Sequence, residues 1–144
     1  ETYGIKPEDV IIDPLAMPVG AVNTAGIDLF NIVRIVREEL GCNTVCGASN
    51  ISFGLPNRHV MNSTFVSMAI AAGMTCAITN PLEESIRSAV YAADVLMGND
   101  ADCIRYLSAM RKADESSSAS GSSGKSARDE RRAARAARRA ARAS

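Results

Sequence analysis

Long apolar runs are missing from this sequence: none approaches the roughly 18 residues that a membrane-crossing helix requires. No positively charged start leads into an apolar signal segment either, and a cytoplasmic location is the expectation. The cysteines Cys42, Cys46, Cys76 and Cys103 form no CxxC pair and no zinc-type spacing. Three of them sit in or beside apolar runs, so they read as reduced, buried thiols behaving as small hydrophobes, and no metal site is expected. A nucleophile paired with a base is also lacking. The sole histidine, His59, starts a helix with no evident acidic companion.

The 144 residues, 47% hydrophobic and 22% charged, suffice for one globular domain with a sizeable core. The formal net charge of zero hides two unlike parts. Residues 1–124 carry 8 Lys and Arg against 14 Asp and Glu, a net of −6, whereas residues 125–144 carry 8 against 2, a net of +6. The join is ESSSASGSSGKS, whose Ser and Gly cannot bury apolar surface and which suits a flexible tether. The expected organisation is a folded unit over 1–114, a linker over 115–127 and an Arg/Ala-rich tail over 128–144. In the tail Arg128, Arg131, Arg132, Arg135, Arg138, Arg139 and Arg142 recur with a seven-residue echo. Alanine and arginine favour helix but give too little apolar area for a core. A disordered, solubilising tail and an arm for an anionic partner therefore both stand, and without aromatic residues the tail has no means of stacking on bases.

Within the folded unit, short apolar runs alternate with helical periodicity. Val10 to Asp13 reads as a brief strand between Pro7 and Pro14. Ile27 to Leu40 places Leu29, Val33, Val36 and Leu40 on one helical face, with Gly41 suited to end it. Thr44 to Gly47 is a second strand. A helix from about His59 to Ala72 follows, its Met61, Phe65, Met68 and Ala72 read as core and Gly73 as its stop. The third strand is Cys76 to Thr79. Asn80 then has the chemistry of a helix cap, with Pro81 in the first position and Glu83 answering the cap, for a helix running to Met97 and stopping at Gly98. A last helix covers 101–111.

Alternating strands and helices predict an α/β fold with a parallel sheet built from right-handed crossovers. Three parallel strands leave two open edges and one uncovered face, so the unit needs completing, by more of its own chain, another chain or a homo-oligomer. In such sheets side chains gather where strands finish, which makes neighbours of Asp13, Asn50 and Asn80. The polar segment after Gly47, ASNISFGLPNR, therefore reads as lining a site.

Three stretches, IDPLAMP (Ile12 to Pro18), GASNISFGLPNR (Gly47 to Arg58) and NSTFVSMAIAAGMTCAITNPLEE (Asn62 to Glu84), resemble the C-terminal portion of the methyltetrahydrofolate:corrinoid protein methyltransferases. The likeness runs over roughly residues 7–112 and includes element order. That family consists of pterin-binding (βα)8 barrels of the TIM type, similar also to the folate-binding domain of cobalamin-dependent methionine synthase. The resemblance implies that this chain holds the last three βα units. It further implies methyl transfer between 5-methyltetrahydrofolate and the cobalt of a corrinoid (cobalamin) carried by a partner corrinoid protein. By position it makes Asp13 a ligand of the pterin ring, Asn50 the catalytic contact near N5, and Arg58 a cofactor-binding residue on the loop above.

Those residue types suit the task. A pterin edge offers an amide and an amino group side by side, so one carboxylate can accept both with charge-assisted strength. Asn50 can turn either its oxygen or its NH2 towards N5 as charge builds there, a contribution of about 2–4 kcal/mol if it acts like other transition-state donors. Plainer readings exist for each: a strand-end turn for Asp13 before Pro14, a loop amide for Asn50, a helix-start charge for Arg58. The resemblance also has gaps. The front of the barrel and its acidic and amide pterin contacts have no counterpart in this chain, and Phe53 stands where some members carry a polar side chain. Dihydropteroate synthase, which shares the barrel, is the alternative pterin enzyme, but LAMPVG replaces its Gly-Phe-Lys stretch and its late Ser-Arg-Lys and Arg-x-His signatures are missing. A barrel remnant that binds anions through its Arg tail is the third reading.

Overall fold

A computed structural model describes residues 3–113; the expected linker (115–127) and Arg/Ala tail (128–144) lie outside the described residues. The chain divides between Tyr106 and Leu107 into two compact units, and the sheet with its helices belongs to the first. Three short strands, β1 (Ile11–Ile12), β2 (Asn43–Gly47) and β3 (Cys76–Ile78), form a parallel sheet in the order β1-β2-β3. Helix α1 (Ala25–Glu38) connects β1 to β2, α2 (Arg58–Ala71) connects β2 to β3, and α3 (Glu84–Leu96) follows β3. The expected α/β class and element order are therefore present.

Boundaries differ where side chains compete with regular structure. β1 ends at Ile12 because Asp13 and Pro14 turn the chain: Asp13 Oδ1 accepts from the backbone N–H of Leu15 at 2.9 Å, with Leu15 at φ 59°. The third helix departs from expectation for the same reason. Asn80 does not cap it; Asn80 Oδ1 accepts from the N–H of Leu82 at 3.0 Å around Pro81, and α3 begins only at Glu84, with Glu83 in the cap position. Asx-Pro-Leu is thus one turn used twice, after β1 and after β3. The expected stops Gly41, Gly73 and Gly98 all have positive φ, where a β-carbon is strained.

Beyond α3, the two carboxylate oxygens of Asp100 accept from the N–H groups of Arg105 and Tyr106 at 3.1 and 2.9 Å, at the start of helical residues 104–113.

The core lies between the sheet and its helices. Leu29, Phe30 and Val33 of α1, Phe65, Val66 and Ala69 of α2, Ile86 of α3, and Cys46 with Ala48 from the end of β2 are buried together. The Phe30 and Phe65 rings stack with centroids 5.7 Å apart. Of the expected stripe Phe65 and Ala72 are buried, joined by Asn62, Val66 and Ala69 of α2, whereas Met61 and Met68 are 39% and 51% exposed. They flank the seam with α1 and line an apolar cavity of about 440 Å³ with Phe30 and Phe65. The thiols also divide: Cys42 and Cys46 are buried as expected, whereas Cys76 is exposed and Cys103 intermediate.

Strand parity explains Cys76. In β2, Thr44 and Cys46 are buried against the helices, so Asn43, Val45 and Gly47 face the other way. Parallel pairing puts Ile11 beside Asn43, Cys76 beside Val45 and Ile78 beside Gly47 on that second face. There Ile11 is 61% and Ile78 66% exposed. One face of the sheet is packed and the other is open.

Candidate functional site

The polar segment after Gly47 forms a tight turn, Ala48–Ser52, of the 3-10 type. Its apolar members Ala48 and Ile51 enter the core, as does Ser52, while Ser49 and Asn50 remain exposed at the C-terminal end of β2. The Asn50 carboxamide folds back over Gly47, with Nδ2 3.0 Å from the point where a β-carbon would stand. Gly47 has ordinary backbone angles, φ −71° and ψ 91°, so glycine is required there for space rather than conformation.

Asp13 lies on the adjoining strand end. It is exposed, and its Oδ1 is occupied by the Leu15 N–H, while its Oδ2 makes no hydrogen bond among the described residues. The carboxylate is close enough to act on Cys46: burial first, then the charge of Asp13, then Cys76, push the Cys46 thiol up to about 11. Asp13 and Asn50 thus stand past the ends of the adjoining strands β1 and β2, the second folded over Gly47. The turn expected as the plain alternative for Asp13 is made by one of its oxygens, leaving the other uncommitted.

Arg58 opens α2, and its guanidinium turns inward over the same loop. Nη2 donates to the Ser49 carbonyl at 2.8 Å and Nε to Ser52 Oγ at 3.0 Å. Ser52 Oγ in turn donates to Asn62 Oδ1 at 2.6 Å. Asn80, the third residue expected at the strand ends, spends its side-chain oxygen on its own turn.

His59 does have an acidic companion. Its Nδ1 is 2.8 Å from Glu83 Oε1, which also accepts from Ser85 Oγ at 2.9 Å. The hydrogen bond from His59, that from Ser85 and the nearby charges of His59 and Arg58 outweigh desolvation and hold Glu83 below the usual carboxylate range. An ionised carboxylate only accepts, so Nδ1 carries the proton. The pair spans two βα loops, and its partners are 24 positions apart, a separation with no periodic signal. The link between Arg58, Ser52 and Asn62 did leave a signal, since Arg58 and Asn62 are one helical turn apart on α2.

Among the described residues no group of three or more His, Cys, Asp or Glu could hold a metal ion, and no helix is long and apolar enough to cross a membrane. A cavity of about 620 Å³ lined by Arg37, Met74, Cys76, Asp94 and Asn99 lies along β3, and neither it nor the α1–α2 cavity takes in Asp13, Asn50 or Arg58.

Residues 1–80 match the family described as pterin binding enzyme. The chain belongs to that family. Over 111 residues it is also 32% identical to a methylcorrinoid:tetrahydrofolate methyltransferase of Eubacterium limosum, a match that takes in 76% of this chain and 41% of that relative. The chain thus spans less than half the length of this relative. Both matches support the resemblance to the methyltetrahydrofolate:corrinoid protein methyltransferases drawn from the motifs.

Proposed function

We propose that this pterin-binding chain forms the last three βα units of a (βα)8 barrel that moves a methyl group between 5-methyltetrahydrofolate and a corrinoid protein in the cytoplasm. The observation that carries the reading is the 32% identity to a methylcorrinoid:tetrahydrofolate methyltransferase, which extends across 111 residues. The open second face and the two unpaired sheet edges support the barrel, since five further strands would pair both edges and close the interior.

The residues fit a pterin. Asp13 keeps an oxygen free for the paired N–H groups of the ring edge, and the exposed Asn50 carboxamide rests in the space Gly47 leaves. Asn50 faces N5 in this reading, accepting from or donating to it as the nitrogen gains or loses its proton. Arg58 holds the loop closed above the ring from the start of α2. When the partner docks, the corrinoid cobalt supplies the methyl acceptor or, in the reverse direction, the methyl donor. This chain's part is to bind and orient the folate, and to stabilise charge at N5 with a preorganised dipole.

The test uses the barrel assembled with its preceding units. It is expected to bind 5-methyltetrahydrofolate and pass the methyl group to cob(I)alamin, with Asn50→Ala slowing transfer about 100-fold while weakening folate binding far less. Failure of the barrel to bind the folate would remove the reading, and an unchanged rate in Asn50→Ala would remove Asn50 from it.

A further inference from the structure

Arg58 and Asn62 leave the same face of α2 and end on one hydroxyl. Ser52 Oγ accepts from Arg58 Nε at 3.0 Å and donates to Asn62 Oδ1 at 2.6 Å. Both polar partners in the second contact are interior, Ser52 0% and Asn62 7% exposed. The cluster opens to the surface through Arg58, itself exposed, whose Nη2 donates to the Ser49 carbonyl at 2.8 Å. That carbonyl belongs to the peptide bond leading into Asn50.

We propose that Ser52 and Asn62 are positioning residues that aim the Asn50 carboxamide, an inference that rests on the role proposed for Asn50 in methyl transfer. The proton of one hydroxyl decides the geometry. Ser52 Oγ also lies 3.3 Å from the Ser49 carbonyl, so its single hydrogen has two acceptors to choose from. Asn62, at 2.6 Å, takes that hydrogen and leaves the Ser49 carbonyl to Arg58. Without Asn62 as acceptor, the hydroxyl swings to the Ser49 carbonyl, competes with Arg58 for it and tilts the peptide that carries Asn50. The turn has little stiffness of its own to resist, because 3-10 hydrogen bonds are poorly aligned. Asn50 makes no side-chain hydrogen bond among the described residues that would hold it in place.

A cluster kept only for packing would spare the transfer rate of the folded protein, whatever stability is lost by leaving the buried Ser52 hydroxyl with one acceptor fewer. A positioning cluster would not. In the complete barrel, Asn62→Leu keeps the branching and the number of heavy atoms and removes the acceptor, whereas Asn62→Asp keeps an acceptor oxygen. Expected for Asn62→Leu is a kcat for methyl transfer to cob(I)alamin about tenfold lower, with KM for 5-methyltetrahydrofolate within about twofold. Asn62→Asp is expected to recover most of the loss. The double variant Asn50→Ala/Asn62→Leu is expected to be no slower than Asn50→Ala alone, because the second change acts through the first. Should Asn62→Leu fold poorly, Ser52→Ala is the second variant: it removes the acceptor that holds Arg58 Nε, loosens the guanidinium on the Ser49 carbonyl, and is expected to lower kcat with KM unchanged.

Losses that multiply in the double variant, or an unchanged kcat in both Asn62→Leu and Ser52→Ala, would overturn the positioning role while leaving Asn50 and the methyltransferase reading intact. An unchanged rate in Asn50→Ala would overturn the positioning role and the role of Asn50 together, and leave the methyltransferase reading to the folate-binding test.

Discussion

The side-chain nitrogen of Asn50 stands 3.0 Å from where a β-carbon on Gly47 would be, so the strand residue and the amide three positions on share one space. A methyl group there pushes the carboxamide back by a few tenths of an ångström. Because Gly47 sits at φ −71° and ψ 91°, alanine is not strained by the backbone, and loss of glycine's unfolded-state freedom would favour folding by about 0.4–1 kcal/mol. Gly47→Ala is therefore expected to separate stability from function: a melting temperature equal to or above that of the parent, and methyl transfer slowed by roughly tenfold or more. A variant of unchanged rate would show that Asn50 works from another orientation.

The His59–Glu83 pair predicts a pH dependence with a definite sign. Glu83 is held below its ordinary 4.5, so the folded state favours its ionised form. Its contribution is present above about pH 4.5 and is lost as pH falls through the lowered folded value. The effect is small, since the imidazole is 77% exposed and solvent screens the pair. Melting temperatures of the parent and of Glu83→Gln, measured from pH 7 down to pH 3, should differ at the neutral end and converge at the acid end. A gap of constant width would mean that the carboxylate's charge is not what the pair contributes.

How much of the molecule is legible in its sequence depends on the range of the interaction. The periodicity of Leu29, Val33 and Val36 places α1's buried face correctly, because a helix writes its packing into spacings of three and four. Leu40, expected on that face, falls past the helix end at Glu38 and is 51% exposed. The same rule misplaces α2. Met61 and Met68 are as apolar as Phe65, and only the width of the seam with α1 decides that they line a cavity. Asx chemistry is ambiguous in the same local way: Asn80 before a proline suits a helix cap and a turn alike, and the turn prevails because the i+2 N–H of Leu82 is nearer than the start of a helix three residues further on. Asp13 and Asn50 are readable as strand-end residues from topology. The approach of Asn50 to Gly47 and of Glu83 to His59 is not, since neither follows from a repeat or from composition.

Stability should hinge on the aromatic pair that joins the first two helices. Phe65 is 3% exposed and stacks on Phe30, with Leu29, Val33 and Val66 in the same cluster. Phe65→Ala removes a buried ring and leaves space that helices anchored to a sheet can only partly fill, for a loss of about 3–5 kcal/mol. Urea unfolding of the protein checks this, and a loss below about 1 kcal/mol would show that the α1–α2 seam closes freely over the gap.

Thiol chemistry offers the sharpest test of barrel closure, because the two cysteines nearest the candidate site lie on opposite faces of one sheet. Cys46 is 0% exposed and its thiol is pushed up to about 11, so at pH 8 it offers almost no thiolate and no access to an alkylating reagent. Cys76 pairs beside Val45 on the uncovered face and is exposed in this chain. If five further strands close that face into a barrel interior, Cys76 becomes a lining residue shut off from bulk solvent. Iodoacetamide at pH 8 should therefore label Cys76 and spare Cys46 in this chain alone, and label Cys76 roughly 100-fold more slowly in the complete protein, in proportion to how seldom the interior opens. Equal labelling rates of Cys76 in the two forms would leave the sheet face open in both, and the (βα)8 closure on which the folate site depends would have to be abandoned.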